Sequence, residues 1–423
     1  MDPFNIDTFR SAAPYIYAHQ GRVFVVTISR ATAESGKLSE LVQDLALLHT
    51  LGIKLVLVYA AGIELDEGPN CVDTTRMQSL QSEIAAQRTQ LESLFSAGLI
   101  NTPMAGMKLH VVSGNFIHAK PAGIIDGVDS QHYGEVRRVD SDAIQAQLSA
   151  NNIVLLSPTA YSPSGEYFYI DALNVAAAVA TSMPADKLIF MMDEKTLQAS
   201  RGQRLKHLNL NQAQNLLQRR KSISTTVRRY INLAIDTCLS QVPRVHLLST
   251  TVRGALLHEL FSHAGCGTLI SADDYDDIRP ATIEDVGGIM SLIKPLQESG
   301  SLVGRSEEQI ERDIHSYDVI ERDGFMIACA ALQQINDSVY AEVSCFAVHP
   351  DFQKEGHGSR LIKHVEKKAQ AQGMQHILVL TTKALHWFHE QGYQTQVIKK
   401  LPVAKQKTYN YQRNSRILIK SIV

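Results

Sequence analysis

The chain has 423 residues, enough for two or three separate hydrophobic cores, and its 41 Lys and Arg against 43 Asp and Glu leave it near neutral. That balance excludes the basic excess of a nucleic-acid binder and the acidic run of a solvating tail. Cys71, Cys238, Cys266, Cys329 and Cys345 are scattered without CxxC or Cys/His spacing, which points to a reducing compartment and to no metal site.

The opening "MDPFNIDTFR" lacks the basic and apolar regions of a signal peptide. No apolar run reaches the ~18 residues of a membrane span, so a cytoplasmic protein without a membrane partner is expected. Through the first 270 residues short apolar runs alternate with amphipathic ones. Strands are expected at 22–29, 54–60, 109–114, 152–158, 187–193 and 244–249, and helices at 38–52, 77–95, 141–150, 172–183 and 254–262. Strands apolar on both faces, separated by helices, predict an α/β sandwich with a mostly parallel sheet. The turn-rich stretch 118–140 breaks the rhythm and predicts a projecting hairpin. The polar run "SADDYDDIRP" at 271–280 reads as a linker between a domain at 1–270 and a second at 281–423.

The second domain reads as α+β. Helices at 282–296 and 306–315 precede strands at 317–322, 325–334 and 339–349. A glycine-punctuated loop, a helix at 359–371, a strand at 376–382, a helix at 384–391 and a closing segment "YNYQRNSRILIK" follow. Thr282 and Asp285 have the spacing of a helix start.

The loop, "VHPDFQKEGHGSRLI" from Val348 to Ile362, runs from a strand into a helix. Gly356 and Gly358 would let an anion approach main-chain amides at the helix N-terminus. A plain turn has the same composition. The spacing matches neither the GxGxxG dinucleotide loop nor the GxxxxGK[ST] phosphate loop.

Gln353, Gly356 and Gly358 in "CFAVHPDFQKEGHGSRLI" resemble the Q/R-x-x-G-x-G/A pyrophosphate loop of the GNAT acetyltransferases. Over nearly the whole chain, "PYIYAHQG", "LLHTLGIKLVLVY", "VVSGNF", "EVRRVD", "GALLHELFS", "SLVGRSEEQIE", "HWFHEQGY" and "YNYQRNSRIL" resemble the bacterial N-acetylglutamate synthase family. That family joins an amino-acid-kinase-like domain to a GNAT domain. The resemblance implies acetyl transfer from acetyl-CoA to the α-amino group of L-glutamate, the first step of arginine biosynthesis. It places the cofactor's pantetheine arm along Phe346, Ala347 and Val348, and its diphosphate at Gln353, Gly356, His357, Gly358 and Ser359.

For the acceptor's two carboxylates the resemblance implies Arg305 and Arg413, with Ser415, and an Arg fork suits a carboxylate better than a Lys. Cys345 reads as a pocket wall, since GNAT transfer is direct. Deprotonation of the amine falls to Glu342; on residues alone this is equally a solvated strand carboxylate. The Val348 N–H is the expected oxyanion donor. Thr381 and Thr382 are either substrate contacts or ordinary strand residues. Trp387 and Phe388 read as core packing. No tyrosine acid lies between 381 and 391, and no general acid is identified.

The first domain lacks a kinase's phosphate loops. Its first strand runs into "VTISRATAESG", without a Gly pair or a Lys, and its second into "YAAGIELDEG", with the single Gly62 at the turn. This departs from the family's Gly pair after the first strand. ATP-dependent activity is not expected. By resemblance the domain senses arginine through Tyr15, His19, Lys187, His246, Glu259, Gly265 and Gly267, although Tyr15 and His19 at i and i+4 also suit an ordinary helix face. The resemblance further implies a homo-oligomer, a dimer or a hexameric ring. The alternatives are a GNAT enzyme with another amine acceptor and a non-catalytic arginine- or CoA-binding regulator.

Overall fold

The computed structural model describes residues 6–34, 36–61, 70–98, 104–183, 185–195, 197–198, 204–220, 223–262, 264–272, 277–322, 325–336 and 338–422. The chain divides into two compact units, Met1–Tyr275 and Asp276–Val423.

The first unit is built on an eight-stranded sheet in the order His207–Asn209, Thr268–Ser271, Arg244–Ser249, Lys187–Met192, Val23–Ile28, Lys54–Tyr59, Ile153–Leu156, Val111–Val112. Every pairing is parallel except that of Arg244–Ser249 with Thr268–Ser271. The central strands are mostly apolar because both faces are covered. In Val23–Ile28, Phe24, Val26 and Ile28 enter one core and Val23 and Val25 the other. The α/β reading of this half therefore holds.

The expected helices form as Leu38–Thr50, Thr74–Ser96, Ser141–Ser149, Ala172–Ser182 and Ala255–Phe261. Asp73, Asp140 and Asp171 cap three of them by accepting from first-turn amides. The strand expected at 109–114 shrinks to Val111–Val112. The segment 118–140 folds as the antiparallel pair Ile117–Pro121 and Gly134–Val139, in a separate four-stranded sheet. The unit also carries the helices Ile6–His19, Arg30–Glu34, Leu210–Arg219 and Thr225–Leu239; Asn209 and Gln212 form a reciprocal cap at the start of Leu210–Arg219.

The second unit carries a seven-stranded sheet in the order Asp277–Pro280, Tyr317–Arg322, Phe325–Gln334, Tyr340–Val348, His376–Thr381, Arg416–Ser421, Gln394–Gln396. Only Tyr340–Val348 and His376–Thr381 run parallel. One face packs under the His357–Ala371 helix through Leu361, Ile362 and Val365, and the other under Val286–Glu298 through Ile289 and Ile293. The two compact units divide inside the stretch 271–280 expected to join them, but both of its ends are strand. Ser271 closes a strand of the first sheet, and Asp277–Pro280 is the edge strand of the second, pairing with Tyr317–Arg322. Arg279 there holds Asp285 through both guanidinium nitrogens, at 2.7 and 2.8 Å, and Asp285 accepts from the Thr282 amide and hydroxyl. A charged strand of this kind is polar in composition because it lies at a sheet edge.

Candidate active site

The site begins with a defect in the second sheet. Tyr340–Val348 pairs with His376–Thr381 only as far as Val343 and Val379, and beyond that the strands part. On its other edge the strand stays paired, but with a bulge. Ser344 faces Ala331 and Ala347 faces Cys329, so Cys345 and Phe346 together oppose Ala330. Cys345 takes a left-handed backbone, φ 48°. The bulge changes which residues share a face. Ser344 and Cys345 both meet the Val286–Glu298 side, while Phe346 and Val348 pack toward the His357–Ala371 helix. His349 donates its amide to Ile327 at 2.8 Å, so the preceding Val348 N–H points to the opposite, parted edge. An extended polar arm can pair with main chain there.

The glycine loop follows directly. Pro350–Phe352 is one 3-10 turn, and Gln353 folds back to donate its side-chain amide to the Val348 carbonyl at 3.3 Å. The two glycines serve different needs. Gly356 has φ 91° with open space where a Cβ would stand. A Cβ on Gly358 would stand 3.1 Å from Trp387, whose indole lies against Phe346 at 5.2 Å between centroids. The amides of Lys354, Gly356, Gly358 and Ser359 find no hydrogen-bond partner among the described residues. These orphan donors at the start of a fifteen-residue helix suit a diphosphate. His357 contributes only main chain to that face, because its ring is buried and lies edge-on to Phe352.

Cations stand beside the bulge. The Arg305 guanidinium donates to the Tyr317 hydroxyl at 3.1 Å and to the Ser344 hydroxyl at 3.0 Å. Burial pulls the Arg305 pKa down, but Cys345, Tyr317 and Glu342 nearby outweigh it, and the guanidinium stays charged. Tyr317 is fully buried, donates to the Cys345 sulfur at 3.5 Å and holds its proton far above the ordinary range because it is desolvated. The loop that presents Arg305 also binds the second arginine, for Arg413 donates to the Ser301 carbonyl at 2.6 Å. The Arg413 Nε is buried without a partner among the described residues. Ser415 is buried, and its carbonyl accepts from the Tyr409 hydroxyl at 2.7 Å.

Two expected catalytic groups already have partners. Glu342 projects to the same face as Ser344, and its carboxylate is paired at 2.5 Å with the Lys405 ammonium, both side chains being mostly buried. The Thr381 hydroxyl accepts from the Ala384 amide at 3.0 Å and so shapes the turn after its strand. Tyr317 and Lys405 were not singled out from the sequence. A tyrosine opening a strand and a lysine in "KQK" carry no local signal of a site. Phe388 is core and Trp387 half-buried.

In the first unit, the residues expected around an effector also come together. His19, on the Ile6–His19 helix, bonds the Leu260 carbonyl at 3.0 Å and meets Phe24 edge-on. The Lys187 ammonium, buried, lies 5.7 Å from the Phe24 ring centre, and Tyr15 is buried on the same helix as His19. His246 Nδ1 lies 2.8 Å from Glu259, whose other oxygen accepts from the amides of Cys266 and Gly267, each at 2.8 Å.

Burial alone would push the Glu259 pKa up, but the His246 and amide donors hold it well below the usual carboxylate range. Burial holds His246 below its own ordinary value despite Glu259, so the pair is neutral imidazole and carboxylate. Gly265, at φ 52°, and Gly267 leave no room for a Cβ, which would fall 2.7 Å from Glu259 and from the Leu247 carbonyl respectively. At the ends of the Val23–Ile28 and Lys187–Met192 strands, Ser29 donates to Asp193 at 2.6 Å, joined by Thr250 at 3.2 Å. Gly62 lies outside the described residues. Among them no cluster of three or more His, Cys, Asp or Glu could hold a metal, and no helix is long and apolar enough to cross a membrane.

Residues 25–249 match the amino acid kinase family and residues 289–393 the acetyltransferase (GNAT) family. The chain is 39% identical to the amino-acid acetyltransferase of Ectopseudomonas mendocina over 98% of both chains, and 38% identical to that of Azotobacter vinelandii over 99% of both. The chain belongs to the amino-acid acetyltransferase family. Among solved structures, N-acetylglutamate synthase from Neisseria gonorrhoeae complexed with coenzyme A and L-arginine matches at a TM-score of 0.88, with 33% identity and 99% of each chain covered. The same enzyme complexed with coenzyme A and N-acetyl-glutamate matches at 0.62 over the whole of both chains. The fusion of a kinase-like unit to a GNAT unit therefore holds.

Proposed function

We propose that this acetyltransferase moves the acetyl group of acetyl-CoA onto the α-amino group of L-glutamate, as the first step of arginine biosynthesis, and that arginine regulates it through the first unit. The observation that carries the reading is the parted strand facing two guanidinium groups tethered to one loop. The parted edge at Phe346, Ala347 and Val348 suits the pantetheine amides, and the orphan amides around Gly356, Gly358 and Ser359 suit the diphosphate. Arg305 and Arg413 offer planar donor forks for the acceptor's two carboxylates, with Ser415 and Cys345 lining the same region. Glu342 takes the proton that the amine must lose, and the Val348 N–H meets the oxygen that becomes negative.

In the first unit, Tyr15, His19, Lys187, His246, Glu259, Gly265 and Gly267 form the effector site, Lys187 suiting the arginine carboxylate. The Ser29–Asp193–Thr250 cluster occupies the strand ends where a kinase needs open glycine loops, which supports a unit without phosphotransfer. Exposed Phe9 and Tyr17 on the first helix support a homo-oligomer. The five free cysteines support a reducing, cytoplasmic location. The test is thiol release from acetyl-CoA by the full chain, with and without L-glutamate, titrated with L-arginine. Glutamate-dependent release that arginine changes is expected. Release with other amines but not glutamate overturns the acceptor, and indifference to arginine overturns the effector.

A further inference from the structure

Lys405 has no part in the chemistry outlined above, yet its ammonium lies 2.5 Å from Glu342 Oε2. Only 22% of the lysine side chain and 16% of the carboxylate side chain are exposed. The lysine sits on the short helix Val403–Lys407, within the segment that also carries Arg413. That segment is anchored rather than loose: Gln406 donates to the Leu401 carbonyl at 2.7 Å, and Leu401 and Tyr409 are buried together. Arg305 is the other cation facing the carboxylate, and it is already engaged by Tyr317 and Ser344. Glu342 therefore rests with a protein ammonium where a base must meet the acceptor's ammonium. Two ammonium groups cannot both take the inner position on one carboxylate without strong like-charge repulsion.

We propose that Lys405 is the resting counter-ion of Glu342, and that the acceptor's own α-ammonium displaces it. Lys405 is then a positioning residue. It holds the mostly buried carboxylate in place before the acceptor arrives, and it penalises any acceptor that brings too weak a cation to replace it. After the exchange, one N–H bond of the acceptor breaks and an O–H bond forms on Glu342. The electron pair stays on the nitrogen and becomes its nucleophilic lone pair. The inference rests on reading Glu342 as the base.

The test uses the full chain saturated with coenzyme A, so that binding is measured without turnover. Calorimetry compares L-glutamate with glutarate, which carries the same two carboxylates and no ammonium. In Lys405→Met, glutamate no longer displaces a cation, and its Kd is expected to fall about fivefold, the scale of one partly screened charge pair, while that of glutarate stays within about twofold. Lys405→Arg should return the wild-type ratio. Equal shifts of both ligands, or weaker glutamate binding alone, overturn the exchange. Lys405→Gln repeats the measurement should the methionine variant fold poorly, as judged by its melting curve. Turnover of Glu342→Gln tests the base separately. Full activity there with the expected Lys405 ratio removes the base and keeps the exchange; lost activity with an unmoved ratio does the reverse.

Discussion

Gly356→Ala isolates the backbone geometry of the phosphate loop from everything else in the second unit. Gly356 holds φ 91° and ψ −5°, and a methyl group there meets nothing within 4 Å, so any effect is conformational and not a clash. An L-residue in the left-handed region costs ~1–2 kcal/mol, and φ beyond the usual left-handed well puts alanine at the upper end. The cost appears in one of two places. If the loop keeps its shape, the melting temperature of the second unit falls by about 3–6 °C. If the loop relaxes instead, the amides of Gly358 and Ser359 turn away from the diphosphate. Losing one charge-assisted hydrogen bond of about 1.5 kcal/mol raises KM for acetyl-CoA roughly tenfold. Glutamate's KM stays within about twofold, because Arg305 and Arg413 stand on other elements. Steady-state kinetics on both substrates and a thermal melt measure all three. An alanine variant with an unmoved melt and an unmoved KM for acetyl-CoA would refute the reasoning. Gly358→Ala is the control, since its Cβ meets Trp387 and should report as a change in tryptophan fluorescence.

Arg305→Lys should raise KM for glutamate about thirtyfold or more, since an ammonium lacks the planar fork whose separate nitrogens reach Tyr317 and Ser344 and present paired donors to a carboxylate; an unchanged KM removes Arg305 from the acceptor site. Glu259→Gln should weaken inhibition by arginine about tenfold and leave uninhibited turnover unchanged, as read from the arginine titration. The first unit should also lose stability in acid. The folded His246 value lies below 6.5 and that of Glu259 below 4.5, so the unfolded chain takes up protons first. Their stabilisation is present at neutral pH, begins to fade as pH falls below about 6.5, and fades further below about 4.5; melts between pH 8 and 4 that show no decline would contradict both assignments. Asp44→Asn should stabilise the chain at pH 7.5. Burial, then Glu40, pushes the Asp44 pKa up to about 6, so its ionisation opposes folding as pH rises past that value. The gain, discounted for the partly exposed side chain, is about 1 kcal/mol; an unmoved melting temperature denies it.

What could be read directly from the residues was whatever the backbone itself demands. Val23–Ile28, Lys187–Met192 and Phe325–Gln334 are strands because continuous apolar runs have nowhere to go but between two covered faces. Gly356 and Gly358 marked the loop because one holds a left-handed backbone angle and the other a close approach to Trp387, both of which favour glycine. The helices Leu210–Arg219 and Thr225–Leu239 are hard to read among polar and basic residues, where Asn209 with Gln212 is the local start signal for the first. The charged edge strand Asp277–Pro280 passed for a linker for a related reason, since its pairing with Tyr317–Arg322 leaves no apolar mark.

The bulge at Cys345 shows why side-chain placement resists the same treatment. Strict alternation along Tyr340–Val348 would send Glu342, Ser344 and Phe346 to one face and Cys345 to the other. One left-handed cysteine, a residue type with no preference for that conformation, reverses the count. Phe346 leaves that face and Cys345 joins it, so Arg305 finds a hydroxyl in Ser344 and, through Tyr317, a thiol. The same limit hides Lys405, whose partner lies 63 residues earlier in the chain. A carboxylate with a ready cation is legible only once the fold has joined a strand and a short helix. Exchanging the counter-ion of Glu342 therefore tests the site more directly than deleting the carboxylate does.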